Sequence, residues 1–395
     1  MHEGTSRRTY LSATAGVLTL AGCLGETHDG TETAPDDESE PEESPSGEER
    51  TPAEPTGSWP SYQRTRLNAG ATDPGDPPVE APTEAWTFET GDEIHAGLAI
   101  HDGVVYVPSE DEHLYALDLA DGTERWAFDA ETGLYNHSPA VAGNTVYQTN
   151  GNGTLFAIDI ESGLQWTYEA DIYVSRGAVV SESAVFFGDN DDTVYAVDRA
   201  TGSELWTYEV VDPIQSPPTY HDGAVYVSSL DEHIYKLDAE SGTELWNHRT
   251  DARPGSPTVY DGTVYASTTG GTMYALEAES GSEQWTAVSG GMDDAPTVTE
   301  TTVYGDSTYG IDAWDRSSGE RLDEVIDTDG LGDATALVDD TLYFASEDAV
   351  VYAVDPADGS VRWSYDVGYA VEGSPAVGDG YVIVGTTRGA VHALK

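Results

Sequence analysis

Beyond residue 84 the chain alternates β-branched or aromatic residues with small or polar ones, in short runs broken by Gly, Asn and Asp. One stretch shows the unit: Ser138-Pro139-Ala140-Val141, Thr145-Val146-Tyr147, Leu155–Asp159 and Gln165–Tyr168. Between them lie Gly143-Asn144, Asn150-Gly151-Asn152-Gly153 and Ser162-Gly163. A period of two predicts strands, and the joints hold the residues that tolerate the positive φ of tight hairpins. No helical period of useful length occurs.

The unit repeats, and such self-similarity decides the fold before any local reading. Trp stands at 86, 126, 166, 206, 246, 285 and 363, so the first five are 40 residues apart and the next gap is 39. The last gap, 78, holds two periods with one Trp missing; Asp323 sits where it belongs, and Trp314 has moved onto the preceding strand. Four antiparallel strands every 40 residues make one blade of a β-propeller.

Eight inner strands are read as starting at Ala96, His137, Arg176, Ser216, Gly255, Asp294, Asp333 and Gly373. The eighth unit stops at its third strand, around Val391–Leu394, while Ala85–Phe88 stands alone at the other end of the domain. The expected fold is therefore all-β: an eight-bladed β-propeller of four-stranded antiparallel blades, closed by pairing of the N- and C-terminal strands. Seven blades plus an orphan hairpin is the alternative. Closure would leave no exposed edge to recruit another chain. Trp86, Trp126, Trp166, Trp206, Trp246, Trp285 and Trp363 are expected to dock blade on blade, each ring burying roughly 200 Å² against a neighbouring turn.

The run Leu114–Asp118, then Asp121-Gly122, then Trp126, resembles the repeat of the pyrroloquinoline-quinone (PQQ) dehydrogenase-type propellers, and the likeness covers residues 85–395. The segment Trp59-Pro60-Ser61-Tyr62-Gln63-Arg64, with Asn68-Ala69-Gly70, is similar to the leader of that superfamily. The resemblance implies one of two branches: quinone-dependent dehydrogenases, or non-catalytic propeller lipoproteins such as that of the bacterial outer-membrane assembly complex. The enzyme branch implies a vicinal Cys pair, a Trp floor, a calcium-binding Glu/Asn/Asp set and a catalytic Asp. None of these can be matched here, and a shared repeat does not carry a shared chemistry.

The first residues are expected to be an address. Ser6-Arg7-Arg8-Thr9-Tyr10-Leu11 resembles a twin-arginine export signal, which passes folded proteins, and Leu20-Ala21-Gly22-Cys23 resembles a lipobox. Residues 1–22 read as the signal peptide, with Cys23 as the lipidated first residue of an anchored extracellular protein. Residues 23–57 read as a disordered acidic tether. From Glu26 to Pro55 they carry 12 Asp/Glu, one Arg and five Pro, with no apolar side chain larger than Ala. Residues 58–84 lead into the propeller.

Charge narrows the partners. Of 395 residues, 73 are Asp or Glu and 16 are Lys or Arg, a formal net charge of −57. That excludes a nucleic-acid binder working through phosphate neutralisation. Only two of the basic residues are Lys (Lys236 and Lys395), and the balance suits a halophilic protein in molar salt, where the Debye length falls to about 3 Å. One Cys excludes an internal disulfide and a cysteine-built metal site.

The residues leading into the inner strands should ring one mouth of the channel. His95, Asn136, His137, Arg176, Gln215, Asp293, Asp294, Asp333 and Glu372 are the candidate rim for a ligand or partner. A metal held by His95, His137 and a carboxylate is the sharper alternative, but nothing in the sequence fixes their separation. Asp189-Asn190-Asp191-Asp192 lacks the spacing and Gly of an EF-hand loop and reads as a hairpin tip. Asn136-His137-Ser138 and Asn152-Gly153-Thr154 are N-glycosylation motifs. No P-loop, Gly-x-Ser-x-Gly or His-Glu-x-x-His is present. The expectation is a monomeric, non-catalytic binding or assembly scaffold without cofactor or metal. A PQQ-dependent dehydrogenase is the runner-up and a glycan-binding propeller the second alternative.

Overall fold

In the computed structural model the described residues are 77–395, apart from 171, 175, 291–293, 308–309, 323–325, 328–334 and 347, with the backbone alone at 71–72, 306–307 and 326–327. The signal, Cys23, the tether, Asp293, Asp323 and Asp333 lie outside them. The described strands form eight sheets in chain order, and no α-helix occurs among the described residues.

Blade one runs Ala99–His101, Val104–Pro108, His113–Asp118 and Glu124–Asp129, each strand antiparallel to the next. The next six blades repeat this order, from Ala140–Ala142 in blade two to Val361–Asp366 in blade seven. The eighth takes three strands from the C-terminus and its outer strand, Glu84–Glu89, from the other end of the domain. The register sets Trp86 opposite Ala393, Thr87 opposite His392 and Phe88 opposite Val391. Thr83 and Lys395 exchange backbone hydrogen bonds of 2.9 and 3.0 Å at its end. The ring of eight is closed.

Every inner strand begins three residues later than the sequence reading placed it: Ala99, Ala140, Val179, Thr219, Thr258, Thr297, Ala336 and Ala376. For five of the eight the cause is proline. Pro139, Pro218, Pro257, Pro296 and Pro375 each stand immediately before an inner strand. With no N–H to donate, proline sits at the first residue or outside the ladder.

Adjacent blades enclose the core between their faces. Tyr106, Leu114 and Ala116 of blade one meet Val146, Phe156 and Ile158 of blade two, all buried. At the outer rim five indoles, those of Trp86, Trp166, Trp206, Trp246 and Trp285, reach the next blade's last turn. Trp86 Nε1 donates to Leu119 O at 2.8 Å, Trp206 Nε1 to Ala239 O at 3.0 Å and Trp246 Nε1 to Ala278 O at 3.1 Å. The turn must be bare to receive the ring: a Cβ on Gly242, at φ +68°, would stand 2.6 Å from Trp206 Cδ2. Trp126 is different. The turn facing it is one residue shorter, nothing lies within 4 Å of a Cβ on Gly163, and the ring is half-buried.

Two features went unread in the sequence. Ala71–Thr72 pairs in parallel with Ala336–Val338, adding a fifth strand to the channel side of blade seven. The carbonyl of Pro78 accepts the indole N–H of Trp363 at 2.7 Å and the hydroxyl of Tyr343 at 3.3 Å. The third and outer strands of blade eight are not joined by a hairpin, so there is no turn to meet Trp363, and Pro78 takes that place. In blade six Trp314 is fully buried among Tyr265, Met273 and Val303, and the Arg321 guanidinium meets the buried Asp312 carboxylate at 2.5 Å.

Candidate functional site: the mouth at the lead-in loops

One face of the ring carries the loops that lead into the inner strands and those joining the second and third strand of each blade. Here a cleft of about 210 Å³ opens across blades two to six. Of the nine rim candidates, Asn136, Arg176, Gln215 and Asp294 line it. Arg176 Nε donates to the backbone carbonyl of Gln215 at 3.2 Å, tying the lead-ins of blades three and four.

His95 and Glu372 lie at the junction of blades one and eight. His95 Nδ1 is 2.8 Å from Glu372 Oε2 and its Nε2 is 2.8 Å from Glu93 Oε2. Burial pulls its pKa down, but the bonds to Glu372 and Glu93 outweigh it, and the net shift is upward from 6.5. The ring centroid lies 4.6 Å from that of Tyr135, which lines the cleft, with the two planes tilted by 50°.

His137 does not present its ring at the rim. Asn136 adopts φ +57°, and the next residue is fully buried. Its Nδ1 is 3.0 Å from Thr149 Oγ1, and burial, with the Arg176 charge nearby, pushes its pKa down to about 3. It is a neutral core histidine at pH 7. Among the described residues its Nε2 has no hydrogen-bond partner, and the ring packs edge-on to Tyr173 at 6.0 Å. Asp293 and Asp333 lie outside the described residues.

Sequence reasoning missed Tyr135, Tyr173, Asn190 and Arg253, which also line the cleft. Tyr135 and Tyr173 are among the exposed large side chains, and burial with the Glu110 charge raises the Tyr173 hydroxyl. They precede the aligned rim position by two and three residues, so an alignment column did not find them. Aromatic residues in the lead-in loops were the usable signal.

The cleft therefore offers two tyrosine faces, two guanidinium groups, amides and one described carboxylate, Asp294. A second cleft of about 300 Å³ on the opposite face, between blades five and six, is a joint. There Arg316 is taken by Asp261 at 3.1 Å, the Glu300 carbonyl at 2.8 Å and the Tyr260 ring face at 5.0 Å.

Metal and quinone readings were tested against the side chains. Asp189 is buried, and its oxygens accept from the N–H of Asp191 at 3.0 Å, the N–H of Thr193 at 2.9 Å and the Tyr195 hydroxyl at 2.8 Å. That carboxylate holds its own hairpin. Among the described residues no group of three or more His, Cys, Asp or Glu is placed to hold a metal ion. The cleft lining contains no Trp and no Cys. A quinone with calcium needs a flat aromatic floor and several oxygen donors, and these residues do not fit that pair.

Comparison with known proteins agrees with the propeller fold. The family described as outer membrane protein assembly factor BamB matches residues 79–175, 164–291, 248–324 and 309–395. The solved structure of BamB from Moraxella catarrhalis is similar with a TM-score of 0.69 and 20% identity, over 80% of this chain and 98% of that one. A europium-containing methanol dehydrogenase superposes with a TM-score of 0.74 and 13% identity, over 86% of this chain and 98% of its own. At such identities the likeness is one of fold. The serine/threonine-protein kinase AfsK of Streptomyces griseus is 35% identical over 129 residues, 30% of this chain. The match spans 15% of the kinase's length.

Proposed function

The chain belongs to the family of the outer membrane protein assembly factor BamB, and from that premise we propose that it is a non-catalytic scaffold, exported and held at the cell surface by lipid on Cys23. The cleft across blades two to six is its partner-binding mouth. One observation carries this reading: side chains from the lead-in loops of five blades converge on one cleft that assembles no catalytic set. Exposed tyrosine and half-buried arginine beside amides are the residue types that anchor protein partners. Arg7-Arg8 and the Leu20–Cys23 lipobox support export and anchoring, and the acidic tether would hold the ring off the membrane. The −57 charge supports a role in concentrated salt.

The test is a comparison of two faces. Full-length protein carrying Arg176→Ala with Tyr173→Ala, and protein carrying Arg316→Ala, are each used to recover partners from salt-washed membranes. The reading expects a partner lost at least about tenfold with the mouth variant and kept with the Arg316 variant. Equal retention on both would contradict it. The same preparation given PQQ and calcium should keep its melting temperature and spectrum; a shift would favour the dehydrogenase reading.

A further inference from the structure

We propose that Asn152 is a site of N-linked glycosylation and that Asn136, which heads the second Asn-x-Ser/Thr motif, is not. The inference rests on the export reading above, because the sugar donor meets its acceptor outside the cytoplasm.

Asn152-Gly153-Thr154 forms the hairpin tip between Thr145–Thr149 and Thr154–Asp159 of blade two. Asn152 is exposed. The tip is braced by its buried neighbour instead: Asn150 Oδ1 accepts the N–H of Asn152 at 3.0 Å and of Thr154 at 2.9 Å, while its Nδ2 donates to Ala130 O at 2.8 Å. A carboxamide that does not hold the turn together can be modified without unmaking it. Gly153 has φ +89°, and a Cβ there would stand 2.3 Å from Ile172 O. The middle position of the motif is thus fixed as a small residue and never a proline, which would block transfer.

Asn136-His137-Ser138 is the opposite case. His137 is fully buried, and Ser138 is buried with its Oγ accepting the N–H of Gly97 of blade one at 3.0 Å. The hydroxyl that a transferase must read is therefore locked between two blades. A chain exported already folded presents one motif and hides the other.

In the transfer, Nδ2 of Asn152 attacks the anomeric carbon of a polyprenyl-diphosphate-linked oligosaccharide. The N–C bond forms, the C–O bond to the diphosphate breaks, the diphosphate leaves, and one amide proton passes to a base. No electrons change hands. The product would stand beside the mouth, since a Cβ on Gly151, next to Asn152, would lie 3.2 Å from Tyr173 Cε2. A glycan there restricts approach from the side of blades two and three.

The experiment uses the full chain isolated from the membranes of its own host, with peptide mass spectrometry of wild type, Asn152→Gln, Thr154→Ala, Thr154→Ser and Asn136→Gln. The expected result is a sugar mass on the Asn152 peptide, lost in Asn152→Gln and Thr154→Ala and kept in Thr154→Ser and Asn136→Gln. Unmodified Asn152 on protein that external protease digests in intact cells overturns this inference alone, as does sugar that follows Asn136. Full protection of the chain from that protease overturns the export reading and this inference with it.

Discussion

His95 and Glu372 join the first blade to the last, with Nδ1 of the imidazole 2.8 Å from the carboxylate oxygen, while the other ring nitrogen is 2.8 Å from Glu93. Two carboxylates facing both nitrogens favour a proton on each. When protonated, His95 is a staple across the junction of blades eight and one, reinforcing the ring closure.

A raised folded-state pKa fixes the sign of the pH dependence. The staple's contribution is full below pH 6.5, the value without partners, and disappears as pH rises through the higher folded value. His95→Gln should cost about 1–2 kcal/mol at pH 6 and much less at pH 9. Denaturant unfolding at both pH values measures it. His137, held neutral, works the other way below pH 6.5, so the wild-type minus variant difference is the quantity to read.

Trp206 is buried and its indole is bonded to the next blade, whereas Trp126 is half-buried with no glycine turn against it. Trp206→Ala should lower stability by about 3–5 kcal/mol and Trp126→Ala by roughly half that. Partner affinity should be unchanged in both where the protein stays folded. Equal costs would remove the turn from the account.

Two glycines separate contact from strain. Gly223 and Gly242 have φ of +74° and +68°, but only the second faces a ring, with no atom within 4 Å of a Cβ on the first. Gly223→Ala should cost about 1 kcal/mol for backbone strain. Gly242→Ala should cost at least about 1–3 kcal/mol more, as overpacking does. Thermal melts of the pair decide.

With a net charge of −57, dilution of salt should unfold the ring. Its melting temperature should fall by at least about 10 °C between 3 M and 0.1 M KCl, as screening is lost. A flat melting temperature across that range would count against salt adaptation.

Much of the ring was legible because the repeat is stated in residue types with one meaning each. Trp spacing counted the blades, Gly turns placed the hairpins, and the odd strand at Ala85–Phe88 named its own partner near the C-terminus. What escaped had no pattern to carry it. Ala71–Thr72 is two residues long, too short for alternation to mark, and its parallel pairing depends on where the closed ring leaves an inner edge. His137 was read as rim because it shares a column with Arg176, yet the positive φ at Asn136 turns it into the core. Tyr135 and Tyr173 lay off that column and line the cleft.

The central claim is that the mouth, and no other face, receives a protein partner. A photo-crosslinking residue placed at Tyr173, and in a second chain at Arg316 on the opposite face, can be activated on intact cells in native brine. The account predicts one defined protein adduct from position 173 and none from 316. The same adduct from both positions, or from 316 alone, would contradict it.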